Sequence, residues 1–122
     1  MLHTDHTAAI LGTGSALASR RVTNADLEKL VTNYDADSGD FSVWVDRVTH
    51  IQERRFIDPD TESAGILGLR AARLALEAAQ VSPAEIDHVI FASFTYHDMF
   101  PGEHPWLVNA LGIECGTFAL AA

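Results

Sequence analysis

One thiol, Cys115, and six histidines are the residue types in this chain best suited to act as nucleophile, base or metal ligand near neutral pH. A catalytic thiolate needs a helix N-terminus or a neighbouring base to depress its pKa. Cys115 falls instead in a loop between an expected short helix and an expected strand, which suits a small packing residue. His3 and His6 lie close to the N-terminus, and His50, His88, His97 and His104 are scattered. No pair of them has the spacing of metal ligands on one scaffold, so no metal site is expected. His97-Asp98 follows an apolar run, where α/β proteins often place functional residues. With no nucleophile nearby, the pair reads as polar loop.

Two further groups carry a possible chemistry. Gly12-Thr-Gly14 follows an apolar run, as a nucleotide-binding loop would, but the third glycine of that fingerprint is replaced by Leu17. A turn that uses glycine's backbone freedom accounts for these residues better. Trp44, Arg47, Arg54 and Arg55 combine an aromatic face with cationic groups. Such a set can stack a heteroaromatic ring and hold phosphates, but the residues alone favour a tryptophan covering a core with arginines at the surface.

The elements that would position these residues can be read from pattern. Ala8 to Gly12 reads as a buried strand. Thr23 or Asn24 offers a helix N-cap, with Leu27, Leu30 and Val31 on one face. A polar loop at 34–40 precedes a short helix from Phe41 to Val48, with Phe41, Val45 and Val48 directed inward and Trp44 close to that face. Thr61 or Ser63 can cap a helix from Ala64 to Gln80, whose wet stripe is Arg70, Arg73 and Glu77 and whose wide apolar side suits packing between layers. Ser82-Pro-Ala-Glu85 is a capping box with proline at the first helical position. His88 to Thr95 reads as a second buried strand, Pro105 to Leu111 as a helix ended by Gly112, and Gly116 to Ala122 as a third strand. This order predicts parallel crossovers and an α/β sheet. No internal boundary is visible, so residues 1–122 are expected to form part of one domain.

Composition narrows the function classes. The chain has 122 residues, 48% of them hydrophobic, with a formal net charge of −9. That charge argues against nucleic acid and anionic membranes as partners. No apolar run reaches a membrane span of roughly 18 residues, and no secretory signal is visible, so a cytoplasmic setting is expected.

In series, Leu11-Gly-Thr-Gly-Ser15, Arg21 to Leu30, Ile51-Gln-Glu-Arg54, Ala72 to Val89, Phe100-Pro101 and Leu111-Gly-Ile113 resemble the front part of a β-ketoacyl-acyl-carrier-protein synthase III. This family of condensing enzymes belongs to the thiolase superfamily. The resemblance implies the N-terminal part of the first half-domain of a thiolase-like fold, in which helix, sheet, helix, sheet and helix layers pack as a duplicated unit. It implies an acyltransferase that moves an acyl group from a thioester to a Cys and then condenses it with a decarboxylated malonyl thioester. By the family's spacing that Cys falls two positions beyond Ala122, and the His and Asn that stabilise the enolate lie later still. On this reading the chain alone lacks the catalytic groups and acts when completed by a C-terminal portion or chain, as a homodimer or heterodimer.

Residue by residue, the resemblance places Phe100 on a loop phenylalanine that reaches the partner's acyl tunnel, and Trp44 close to a tryptophan that stacks on the adenine of coenzyme A. The family's Arg-Thr-Gly-Ile appears here as Val48-Thr-His-Ile51, or as Arg47 displaced by one residue. Trp44, Arg47 and Phe100 are therefore the candidate substrate contacts. No cofactor is implied beyond the coenzyme A or phosphopantetheine thioester that serves as substrate, and the partner is an acyl-CoA or an acyl-carrier protein. A non-catalytic thiolase-like scaffold subunit and a small α/β binding module are the alternatives.

Overall fold

The computed structural model describes residues 8–35, 39–95, 102–114 and, as backbone, 116–121. Contacts divide it into two compact units, one being Leu17–Glu62 and the other the segments on either side.

In the unit Leu17–Glu62, strand β1 (Arg20–Thr23) pairs antiparallel with β2 (Glu53–Phe56), Arg20 opposite Phe56 and Thr23 opposite Glu53. Neither strand is expected from sequence. Each is four residues long and arginine-rich, too short to show an apolar alternation. Val22 supplies the buried side, the Arg20 guanidinium lies 5.4 Å from the centre of the Phe56 ring, and Arg21 ion-pairs with Glu53.

Thr23 ends β1 and caps α1 (Asn24–Glu28) in a reciprocal box. Its Oγ1 accepts from Asp26 N at 3.2 Å, and the Asp26 carboxylate accepts from Thr23 N at 3.2 Å and from Thr23 Oγ1 at 2.7 Å. The Thr23 hydroxyl first, then its amide, with Lys29 helping, pull the Asp26 carboxyl down to a pKa of about 2. Because α1 stops at Glu28, Leu30 is exposed and not on an inward helical face as expected. Helix α2 (Phe41–Thr49) is capped by Asp40, which accepts from Val43 N at 3.0 Å. Phe41 and Val45 are buried as expected; Val48 is not, being 57% exposed. The unit closes on a turn at 58–62, where buried Glu62 accepts from Ser19 N (3.0 Å), Ser19 Oγ (3.0 Å) and Asp58 N (3.1 Å).

In the other unit, the expected strand at Ala8–Gly12 is not formed; residues 8–16 have no ladder partner among the described residues. They run instead against α3 (Ala64–Ala79), which Ser63 caps and Gln80 ends in the left-handed region. A Cβ on Gly12 would lie 2.5 Å from Ala79 N, and one on Gly14 would lie 2.6 Å from Ala75 N. Neither glycine has positive φ. Their role is therefore close approach to a helix backbone, not the turn freedom expected from sequence. On α3 the wet stripe of Arg70, Arg73 and Glu77 is exposed as expected, whereas Leu74 and Ala78 are exposed too.

Ser82 caps the 3-10 turn Pro83–Glu85 in the expected box. Strand β3 (His88–Ser93) pairs parallel with β4 (Gly116–Ala121), from His88 opposite Gly116 to Ser93 opposite Ala121. The link between them includes α4 (His104–Leu111), ended by Gly112 at φ 71. The expected crossover is therefore present, but the parallel sheet has two strands among the described residues where three are expected. Nor is β3 buried on both faces: it alternates, with Ile90 67% exposed. Leu107, Val108 and Ile113 form the buried apolar set around α4.

Candidate functional site

The best-formed candidate lies on α2. Asn24, itself buried, fixes this helix at both ends: its Nδ2 donates to Ser42 O at 3.5 Å and to Ile51 O at 2.9 Å. Arg54 Nη2 in turn donates to Asn24 Oδ1 at 2.8 Å. Arg54 therefore serves the interior and is removed from the set of possible phosphate holders. Arg55 remains at the surface, with one long contact of 3.5 Å from Nη1 to Ser19 O.

Beside the buried pair Phe41 and Val45, the exposed part of α2 includes Trp44, Arg47 and Val48. Trp44 is 38% exposed, while Arg47, one turn on, is exposed and its guanidinium makes no hydrogen bond or ion pair with another described residue. The structure thus brings two of the three candidate contacts together on one helical face. A partly exposed indole beside a free guanidinium suits a flat heteroaromatic group that carries negative charge. Phe100, together with His97, Asp98 and Cys115, lies outside the described residues.

Tyr34 belongs to this candidate site and is not singled out by sequence, where it reads as the start of a polar loop. Its ring stands edge-on to Phe41 (5.0 Å, 79°) and tilted to Trp44 (6.0 Å, 49°), and Phe41 lies 6.3 Å from Trp44. The only available signal is that three aromatic residues fall within eleven positions. The αL residue that ends α2 is His50, at φ 55 and ψ 20.

Elsewhere, an open groove of about 600 Å³ is lined by Thr13, Gly14, Ser15, Leu74, Glu77 and Ala78. Its lining offers hydroxyls and the exposed Glu77 carboxylate but no histidine or thiol, and it follows from the way residues 8–16 lie on α3. Glu103, at the start of α4, is buried against Gly65 of α3, and its Oε2 has no described partner. Between a glycine and a histidine-proline pair, it reads from sequence as an ordinary loop acid. No helix among the described residues is long and apolar enough to cross a membrane.

The fold is that of the thiolase-like condensing enzymes. A 3-oxoacyl-[acyl-carrier-protein] synthase III from Aquifex aeolicus superposes with a TM-score of 0.79 at 32% identity, over 93% of this chain and 34% of that one. The priming β-ketosynthase of the R1128 polyketide pathway matches with the same TM-score and identity, over 93% of this chain and 32% of its own. By sequence, the chain is homologous to the β-ketoacyl-acyl-carrier-protein synthases III. The one from Alkalilimnicola ehrlichii is 41% identical over 112 residues, 92% of this chain and 32% of that protein. The chain thus spans about a third of the length of such relatives. No protein-family model matches it.

Proposed function

We propose that these residues form part of a ketoacyl synthase III-like acyltransferase, in which both units belong to one thiolase-like half-domain. The complete protein takes an acyl group from an acyl-CoA or acyl-carrier-protein thioester onto a Cys and condenses it with a malonyl thioester as carbon dioxide leaves. The reacting Cys, His and Asn come from outside these 122 residues. This chain contributes the donor entrance through Trp44 and Arg47 and, through Phe100, a wall of the acyl tunnel in a dimer. The observation that carries this reading is the exposed Trp44–Arg47 face, held by Asn24 within a fold that superposes on solved condensing enzymes.

Replacing the family's Arg by Val48 leaves Arg47 as the cation of this face, so Arg47 is the residue that meets the donor's negative charge. The test is acyl transfer by the complete protein, with acetyl-CoA or an acyl-carrier thioester as donor and a malonyl-carrier thioester as acceptor. Release of carbon dioxide coupled to a 3-oxoacyl product supports the reading. Stable acylation of no cysteine, and no product from either donor, overturns it.

A further inference from the structure

We propose that Tyr34 is a positioning residue that holds the Trp44 indole at one angle, leaving a single side of it open to a flat heteroaromatic group. The three ring centroids form a nearly equilateral triangle, with sides of 5.0, 6.0 and 6.3 Å. Both neighbours of Trp44 therefore sit to one side of it. Phe41 is buried and anchors the triangle to the core of its unit, and Tyr34 is half-buried. The edge-on contact of Tyr34 with Phe41 lets it brace Trp44 from the loop before α2, not from the helix itself. An indole without that brace would sample several rotamers about χ1 and χ2, and ordering it on binding would weaken the ligand. Arg47 is on the same helix, three residues beyond, so a cation neighbours the indole along the helix surface. A purine bearing phosphates fits both features.

The inference rests on the reading of Trp44 as a donor contact, and the experiment separates the two. The complete protein is labelled with 5-fluorotryptophan, and the Trp44 signal is assigned with Trp44→Phe. Coenzyme A is titrated against that signal, and acyl transfer is measured at saturating donor. Tyr34→Ala is expected to broaden or move the Trp44 signal and to weaken coenzyme A about three- to tenfold, with kcat within about twofold of the parent. Tyr34→Phe keeps the ring and is expected to restore both. In Trp44→Ala, adding Tyr34→Ala should cause no further loss of binding. Equal coenzyme A affinity in Tyr34→Ala and the parent, while Trp44→Ala binds weakly, overturns the positioning role and leaves the donor reading standing. Unchanged affinity in Trp44→Ala overturns the donor reading and the ligand assigned here.

Discussion

Replacing Glu62 with alanine takes one acceptor away from three donors at once. Its Oε2 receives Ser19 N and Ser19 Oγ at 3.0 Å and Asp58 N at 3.1 Å, and the residue is 6% exposed. A donor left unpaired on burial costs about 1–3 kcal/mol. The Ser19 hydroxyl can turn to another acceptor, so the two amides set the figure, and their part-buried positions favour the lower half of the range. Glu62→Ala is expected to destabilise the protein by about 2–4 kcal/mol, a large share of a usual total of about 5–15 kcal/mol. Glu62→Gln keeps an oxygen but loses the charge that strengthens each bond, so about 1–2 kcal/mol is expected. Urea unfolding gives the total, and amide hydrogen exchange locates it. The Ser19 and Asp58 amides should exchange faster in Glu62→Ala, while Leu67, bonded within α3 to Ser63 O at 3.0 Å, serves as control. A change below about 0.5 kcal/mol, with Ser19 and Asp58 exchange unaltered, would refute the reasoning.

Three other perturbations test separate parts of the structure. His50 occupies the left-handed region at φ 55, so His50→Gly is expected to raise stability by about 0.5–1 kcal/mol in the same unfolding assay. Gly14→Ala places a methyl group 2.6 Å from Ala75 N and should cost about 1–3 kcal/mol, with faster exchange along residues 71–79. Asp26 is held at a pKa of about 2 against an ordinary value of 3.8. Since the folded value is the lower one, its contribution is present above pH 4 and is lost as pH falls toward 2. Carboxyl NMR titration should give that low midpoint, and Thr23→Ala should return it toward the ordinary value.

Much of the architecture is legible because caps are local chemistry. Thr23 with Asp26, Ser82 with Glu85, Ser63 before α3 and Gly112 after α4 each act within a few residues, and each stands where expected. What is missed depends on partners distant in sequence. Strands β1 and β2 find each other across thirty or more positions and show no alternation of their own. Ala8 to Gly12 has the composition of a strand, but only a neighbour to pair with would make it one. The outward faces of β3 and α2 follow the same rule: Ile90 and Val48 are as apolar as core residues, and their exposure is decided by what lies opposite. At the candidate site, Trp44 and Arg47 are singled out by residue type and by resemblance to the family, and Tyr34 is not, because loop residues carry no period to read.

The paired ribbon of β1 and β2 has an unusual electrostatic make-up. Its eight residues hold four arginines against one glutamate, and Arg21 stands directly opposite Arg55. Like charges so placed push their strands apart. Dissolved electrolyte weakens that push over the roughly 10 Å range set by 0.1 M salt. Moderate ionic strength should therefore tighten this hairpin-like pair, the reverse of what most surface ion pairs undergo, and buffers of very low conductivity should be where it frays first.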